Sequence, residues 1–267
     1  MREPLLFEVM SAPQSEILTS QEEGVLDVCF NRPQKKNAFT EGMYEQLAGL
    51  LREADASDSV RVVLLRGAGG TFTAGNDLGD FLASPPTGSD SAVFRFLFAI
   101  TELKTPAVAA VEGAAVGIGT TMLQHVDLVY AAKSAKFALP FVDLGLCPEA
   151  ASSLLLPRQM GHARAAALLM LGERFGPEVA IDAGIVTEVL PDADVVEKAR
   201  EAARALAAKP PASLRLTKEL MRRWDREAIQ RALREEGEAF VRQLQSPEAK
   251  AAFSAFARRR SPTKGER

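Results

Sequence analysis

The sequence contains few of the residues that stabilise small secreted proteins or build metal centres. Of its 267 residues, two are cysteine and two are histidine. Cys29 and Cys147 form no closely spaced pair, and His125 and His162 have no neighbours at ligand spacing. We therefore expect neither a disulfide framework nor a structural metal site.

The sequence also lacks long apolar runs and any strong excess of charge. No apolar run reaches the roughly 18 residues that a membrane helix needs, and the N-terminal MREPLLFEVM has no long apolar signal region. The net charge is -3, whereas broad nucleic-acid binding usually requires a clustered basic face. The sequence therefore predicts a cytoplasmic protein that binds neither membrane nor nucleic acid.

What the sequence does contain is an alternation of strand-like and helix-like segments. Residues 25–33, 60–67, 106–113 and 127–132 are short and apolar, as is typical of strands in a covered sheet. Thr40 precedes a stretch with apolar residues at helical spacing, so it is a candidate helix N-cap. This alternation predicts an α/β architecture with crossover helices.

The last part of the chain has a different pattern. From about residue 194 only helical segments follow, and Ser246 is placed to cap the last of them. We predict a core over residues 1–205 and a helical region over residues 206–267. Residues 82–91 are rich in Pro, Gly and Ser, which indicates a mobile loop over a site entrance.

Two glycine-rich loops that follow strands are candidates for chemistry. They are TFTAGNDL, residues 71–78, and GAAVGIG, residues 113–119. Small residues let a backbone approach a ligand closely, and two converging N–H groups can form an oxyanion hole. Glycine turns after strands are common, so the spacing alone leaves a purely structural role open. The second loop lacks the third glycine of a dinucleotide fingerprint and the lysine of a phosphate loop.

One carboxylate stands alone in an apolar segment, LGLCPEAASSLLLP, residues 144–157. Pro148 and Glu149 are ordinary first-turn residues, so this pair could simply begin a helix. Alternatively, Glu149 is a base in an apolar pocket, where burial would raise its pKa and a helix N-terminus would lower it. The residues alone leave both interpretations open.

Four motifs occur in a characteristic order. They are FNRPQKKNAF, TFTAGNDL, VEGAAVGIG followed by DLVYAA, and LPFVDLGLCPEAASSLLLP. Together they resemble the crotonase (enoyl-CoA hydratase/isomerase) superfamily from about residue 15 to the C-terminus. The resemblance implies an α/β spiral of β-β-α turns and a C-terminal helical trimerisation region. It also implies a homotrimer or dimer of trimers, an acyl-CoA thioester substrate, and no cofactor, since coenzyme A belongs to the substrate.

The resemblance also implies site residues. The backbone N–H groups of Asn76 and Ile118 match the two oxyanion-hole donors of the family. Arg258 to Arg260 at the end of the last helix, like the cations of the first motif, could approach the phosphates of coenzyme A. Without the resemblance these cations would be solvated surface. The residues expected to contact the substrate are Ala74, Gly75, Asp77, Leu78, Gly117, Phe141, Arg32 and Lys36.

The motifs distinguish between reactions of the family. Hydratases resembling this chain carry two glutamates, at the positions that Thr121 and Phe141 occupy here, so the acid/base pair for hydration is missing. Glu149 matches the single base of one isomerase branch. We therefore expect an enoyl-CoA isomerase of fatty acid metabolism, in which Glu149 takes a proton from C2 of a 3-enoyl-CoA and returns it to C4.

Other interpretations of the motifs remain open. The protein could catalyse another enolate-forming reaction, such as hydration, hydrolysis or decarboxylation, or it could bind acyl-CoA without catalysis. Asp143 is expected to face solvent or a partner subunit, and Asp77 to brace its loop. Either could assist or replace Glu149.

Overall fold

The strands of the protein form two sheets. The computed structural model describes residues 15–260, with their side chains as far as residue 255. Eight strands are present in that part of the chain, and three of them are only three residues long. They are β1 (Ile17–Glu22), β2 (Val25–Phe30), β3 (Val62–Gly67), β4 (Ala107–Val111), β5 (Ala114–Val116), β6 (Leu128–Ala132), β7 (Lys136–Ala138) and β8 (Glu188–Leu190).

The larger sheet has the order β1-β2-β3-β4-β6-β8, and β5 pairs with β7 in the smaller one. β1 is antiparallel to β2, and every other pair of neighbours is parallel. The four predicted strands are confirmed as β2, β3, β4 and β6. The sequence misses β1 because five of its six residues are exposed, and β5, β7 and β8 because they are too short for a pattern.

Helices connect the strands and then continue alone to the end of the described chain. None of those described is long and apolar enough to cross a membrane. They are α1 (Glu41–Ala56), α2 (Leu78–Ala83), α3 (Ala92–Glu102), α4 (Ile118–Thr121), α5 (Ser152–Met160), α6 (His162–Leu171), α7 (Pro177–Asp182), α8 (Val195–Ala207), α9 (Pro211–Arg222), α10 (Arg226–Leu244) and α11 (Pro247–Arg260), with short 3-10 turns at Pro33–Lys35, Met122–His125, Val142–Leu144 and Asp192–Asp194.

The order of elements repeats a β-β-α unit. β4 and β5 are followed by α4, and β6 and β7 by a helical segment, so the first strand of each pair enters the large sheet and the second enters the small one. α8 packs against β3, β4 and β6, and α1 packs against α3. The predicted α/β architecture of β-β-α turns is therefore confirmed.

Helix α1 follows the predicted pattern. The Thr40 hydroxyl accepts a hydrogen bond from the Met43 N–H at 3.3 Å, which satisfies one free donor of the first turn. Met43, Leu47 and Ala54 are buried on the predicted stripe. Each fully buried Met or Leu contributes about 1.5–3 kcal/mol relative to exposure.

After β8 the described chain contains helices only, as predicted. α10 packs against α5 and α3, and α11 packs against the 3-10 turn Val142–Leu144. Ser246 caps α11 as expected, accepting a hydrogen bond from the Ala249 N–H at 3.0 Å. The domain boundary after residue 205 and the trimerisation role of these helices stay predictions. The N-terminal ten residues and the side chains of Arg258 to Arg260 lie outside the described part.

A buried lysine fastens the C-terminal helices to the sheet. Lys218 on α9 is 5% exposed, and its ammonium donates to Asp127 Oδ2 at 2.7 Å and to the Thr105 carbonyl at 2.9 Å. The same Asp127 oxygen accepts a hydrogen bond from the Ala107 N–H at the start of β4. One carboxylate therefore joins α9 to the beginnings of β4 and β6.

Replacing Lys218 with Met would keep most of the stem volume but leave the Asp127 carboxylate and the Thr105 carbonyl without this donor. We expect the free energy of unfolding to fall by roughly 3 kcal/mol, because removal of one partner leaves an uncompensated charge. Urea denaturation measures the change. Lys209→Met removes an exposed lysine just before α9 and should alter stability by less than ~0.5 kcal/mol. Equal losses in the two variants would contradict a fastening role for Lys218.

Candidate active site

The first glycine-rich loop lies along the small sheet. The Thr73 N–H donates to the Ala114 carbonyl at 2.9 Å, and the Val116 N–H donates to the Thr73 carbonyl at 3.1 Å. An isolated bridge pairs Phe39 with Asn76 on the far side of the loop. The end of this loop is therefore held next to the end of β5, a short strand that lies within the second glycine-rich segment, residues 113–119.

Two glycines make this close approach possible. A Cβ at Gly75, where φ is +83°, would lie 2.6 Å from the Val116 carbonyl oxygen. Gly117 has φ +57° and ψ -120°, which only glycine adopts without strain. The residues that follow them are Asn76 and Ile118. The backbone N–H groups of both donate to no protein acceptor among the described residues.

The segment that carries Glu149 differs from the sequence prediction. Pro148 and Glu149 do not begin a helix, because α5 starts at Ser152. Ala150 and Ala151 both have φ +59°, and the Ser152 N–H donates to the Glu149 carbonyl at 3.0 Å. This left-handed pair of alanines delays the helix, so Glu149 lies in a turn before it. The expected first-turn stabilisation of its carboxylate is therefore wrong.

Glu149 is buried, with 7% of the residue exposed. The Thr121 hydroxyl donates to its Oε1, and Thr121 lies one turn after Ile118 on α4. Burial raises the pKa of Glu149 to about 8, although the Thr121 hydrogen bond opposes this rise and the charge of Glu236 adds to it. The result is a carboxyl group that titrates near neutral pH beside the two loops.

Tyr44 completes the polar lining and is not predicted from the sequence. Its ring comes from α1 and is buried with the core. Its hydroxyl donates a hydrogen bond to Asn76 Oδ1. Burial raises the pKa of Tyr44 well above its usual value, and the charge of Glu149 raises it further. The phenol is therefore a neutral donor. No sequence signal distinguishes it from an ordinary core aromatic.

A cavity of about 510 Å³ reaches Tyr44, but Asn76, Ile118 and Glu149 are not among its lining residues. Phe39 and Tyr44 form part of its wall, together with Phe81 on α2 and residues 84–93. The segment predicted as a loop over the site entrance therefore forms part of the cavity wall, after α2 ends at Ala83. Its mobility stays a prediction.

The predicted substrate contacts Asp77 and Arg32 bind each other. The Arg32 guanidinium pairs with Glu16 at 2.7 Å and with Asp77 at 3.1 Å, and it donates to the Ala38 carbonyl. Asp77 Oδ1 accepts the N–H groups at the start of α2. Burial acts to raise the pKa of Asp77, but hydrogen bonds from the Asp80 N–H and Arg32 hold it below its usual value. This geometry favours a bracing role for both side chains.

The other predicted residues differ in their contacts and exposure. The Ala74 N–H donates to the Lys36 carbonyl at 2.9 Å, and the Lys36 side chain is exposed. Leu78 begins α2, and Phe141 is buried in the core. Asp143 is exposed and lies beside Gly172, where an added Cβ would be 2.9 Å from its Oδ2.

The geometry thus brings Asn76, Ile118 and Glu149 together through the loops and α4. Sequence reasoning misses three partners of this group. They are Tyr44, His125, whose imidazole meets the turn of Glu149, and Glu236 on α10. In the sequence, Thr121 is notable only because hydratases of the family have a glutamate at this position. Its hydrogen bond to Glu149 is seen only in the structure.

Comparison with known proteins identifies the family of this chain. Residues 20–267 match the family described as enoyl-CoA hydratase/isomerase. The chain is 46% identical to the solved structure of Pseudomonas aeruginosa OdaA, with a TM-score of 0.88 over 91% of this chain and 99% of that one.

Some curated relatives carry the names of isomerases and others those of hydratases, such as the probable enoyl-CoA hydratase of Rhodobacter capsulatus, which is 35% identical over 73% of this chain and 77% of its own length. Enoyl-CoA delta isomerase 2 of Rattus norvegicus is 37% identical over 82% of this chain and 58% of its own length, so this chain spans little more than half of that protein. The 1,2-epoxyphenylacetyl-CoA isomerase of Escherichia coli K12 is 35% identical over 92% of this chain and 97% of its own length. This chain belongs to the enoyl-CoA hydratase/isomerase family.

Proposed function

We propose that this protein is an enoyl-CoA isomerase that converts a 3-enoyl-CoA into the conjugated 2-enoyl-CoA. One observation carries the proposal: Glu149 is a buried carboxyl group with a pKa near 8, hydrogen-bonded to the helix whose first N–H belongs to Ile118. A double-bond shift needs one such base beside a site for an oxyanion, and it needs no water.

The proposed reaction moves one proton over a short distance. Ionised Glu149 removes a proton from C2, and the electron pair of that C–H bond delocalises onto the thioester oxygen. The N–H groups of Asn76 and Ile118 donate to this oxyanion, where unpaired backbone donors stabilise charge most effectively. The dienolate then takes the proton back from Glu149 at C4, which restores the carboxylate and leaves the conjugated thioester.

The neighbouring hydroxyl groups would position these residues. Tyr44 donates to the side chain of Asn76, which fixes the loop that presents the first oxyanion donor. Thr121 donates to Glu149 and so orients one carboxylate oxygen, leaving the other for the proton transfer. Since both hydroxyls remain neutral, neither competes with Glu149 for the role of base.

Hydration is less well supported, because adding water requires a second acid or base. Thr121 and Phe141 occupy the two positions at which the family resemblance expects glutamates. Among the described residues two carboxylates are buried, Glu149 and Glu236. Glu236 accepts hydrogen bonds from Ala151 and Ser153, so its oxygens are already engaged.

The names of the rat and Escherichia coli relatives supply a second candidate. The rat relative is named an enoyl-CoA delta isomerase, which supports the proposed reaction. The Escherichia coli relative, which this chain covers almost completely, is named an isomerase of 1,2-epoxyphenylacetyl-CoA. An epoxyacyl-CoA is therefore the second substrate to test. In either reaction we propose Lys36 as a cation for the phosphates of coenzyme A, and a trimer or dimer of trimers as the assembly.

Glu149→Gln should abolish isomerisation. We expect kcat on a 3-enoyl-CoA to fall by about 10²–10⁴-fold, because the amide cannot accept the C2 proton. Absorbance of the conjugated thioester follows the reaction, and calorimetry checks that the variant still binds the CoA ester. The matched control is Asp143→Asn, which removes an exposed carboxylate nearby and should keep the wild-type rate.

Several outcomes would contradict the proposal. They include wild-type enzyme that converts neither cis nor trans 3-enoyl-CoA of any chain length, and undiminished turnover by Glu149→Gln. A 2-enoyl-CoA and an epoxyacyl-CoA supplied in parallel would show whether 3-hydroxyacyl-CoA formation or epoxide isomerisation is the faster reaction instead.

The rate should depend on pH through Glu149. The base must be ionised in the free enzyme, and burial raises its pKa to about 8. We therefore expect kcat/KM to rise about tenfold per pH unit below that value and to level off above it. A profile that is flat between about pH 6 and 9 would place the titration of the base elsewhere.

The stability of the protein should show the opposite dependence. Because the folded pKa of Glu149 lies above its unfolded value, the folded state keeps a proton that the unfolded state loses between about pH 4.5 and 8. Wild-type stability therefore falls as pH rises through this window. The Glu149→Gln variant does not lose stability in this way, because a glutamine cannot ionise. Glu149→Gln should gain up to about 5 kcal/mol on wild type above pH 8 and almost nothing at pH 4. Urea denaturation across this range, with Asp143→Asn as the control, measures the gain.

A further inference from the structure

We propose that Glu236, on helix α10, is a positioning residue that holds the turn bearing Glu149 and keeps a second negative charge close to it. The kinetic part of this inference rests on the proposed function. The structural part does not, because it concerns a turn whose conformation is independent of the reaction.

The turn needs support from its surroundings. Ala150 and Ala151 both have φ +59°, a left-handed conformation that residues with a Cβ rarely adopt. Two such residues in succession persist only where neighbouring groups over-determine the backbone. Both alanines are completely buried, so solvent does not satisfy their polar groups.

Glu236 supplies the support on one side of the turn. Its Oε2 accepts the Ala151 N–H at 2.6 Å, and its Oε1 accepts the Ser153 N–H at 2.9 Å and the Ser153 hydroxyl. Helix α5 has no side-chain cap at its own N-cap residue. A carboxylate from α10, more than eighty residues away, takes the place of that cap.

His125 supplies support on the other side. Its Nδ1 lies 3.0 Å from the Arg222 guanidinium, which can only donate, so Nδ1 is the acceptor. Nε2 therefore carries the proton and donates to the Ala150 carbonyl at 2.8 Å. Burial, reinforced by the charge of Arg222, lowers the pKa of His125 to about 3. The imidazole is therefore neutral at physiological pH, and its protonation state does not change between pH 5 and 9.

The two carboxyl groups are unequal. Burial raises the pKa of both, but Glu236 accepts three hydrogen bonds and Glu149 accepts one. The carboxyl group that accepts more hydrogen bonds ionises first, so Glu236 carries the charge and Glu149 holds the proton until higher pH. Removing the charge of Glu236 should therefore make Glu149 easier to ionise.

No other described titratable neighbour obscures this pairing between pH 5 and 9. Burial raises the pKa of Cys147, on the same loop as Glu149, to about 11. Tyr44 from α1 keeps its proton because burial raises its pKa well above 10. The nearby cations are Arg222 on α9 and Arg242 on α10, whose guanidinium groups can only donate hydrogen bonds. A titration observed in this window therefore reports the carboxyl pair.

Two substitutions separate the effect of the Glu236 charge from the effect of its hydrogen bonds to the turn. Glu236→Gln removes the charge at constant size, whereas Glu236→Asp keeps the charge but withdraws it from the N–H groups of Ala151 and Ser153. Glu235→Gln is the matched control, because it removes an exposed carboxylate from the same helix.

The kinetic test is the pH profile of kcat/KM on a 3-enoyl-CoA. Glu236→Gln should move the midpoint to lower pH by about one unit, as expected when one nearby like charge is lost. Glu236→Asp should leave the midpoint unchanged and reduce kcat about tenfold, because the base is less well positioned. Glu235→Gln should change neither quantity. A Glu236→Asp enzyme with wild-type kcat, or a Glu236→Gln midpoint equal to that of the control, overturns the proposal.

A second readout does not depend on catalysis. Carbon NMR of the free protein, labelled at its glutamate carboxyl groups, follows the titration of Glu149, and the signal is assigned by its loss in Glu149→Gln. The midpoint should fall in Glu236→Gln and stay unchanged in Glu235→Gln. If no 3-enoyl-CoA is converted, the proposed function fails while this titration still decides the role of Glu236. Should Glu236→Gln not fold, the kcat of Glu236→Asp by itself decides whether Glu236 positions the base.

Discussion

A buried acid with no cationic partner among the described residues is the constraint on which this site depends. Glu149 has little contact with solvent, and its polar neighbours are a hydroxyl group and a second acid. Ionising a carboxyl group in such surroundings is unfavourable, so the proton is held close to neutral pH. A salt bridge to arginine would stabilise the fold better, but it would also remove the basicity that a proton transfer near pH 7 requires.

The site joins two parts of the chain with different tasks. The β-β-α turns bring the loops of Asn76 and Ile118 together, and α4 carries both the second N–H and the hydroxyl that meets Glu149. The C-terminal helices contribute no atom of the oxyanion loops. They contribute instead Glu236, which holds one side of the turn of Glu149, and Lys218, which binds these helices to the sheet.

Sequence reasoning succeeded where the physical signal is local. The buried parallel strands, the Thr40 cap and the C-terminal helices follow from short-range periodicity and capping. The glycines of the two loops follow from backbone conformations that other residues avoid. The helix start at Pro148 was wrong because two alanines, usually helix formers, adopt left-handed conformations that only tertiary contacts maintain. Tyr44 and Glu236 were missed for the same reason, since each meets its partner across a long separation in sequence.

The support of the Glu149 turn by Glu236 has a consequence for biosynthesis. The ribosome releases the two glycine-rich loops and Glu149 well before α10 exists, so the nascent chain lacks the carboxylate that caps α5. Until α10 docks, the turn lacks the hydrogen bonds by which Glu236 holds the N–H groups of Ala151 and Ser153. On the proposed function, proton transfer by Glu149 therefore depends on a helix that is synthesised after every other residue of the site.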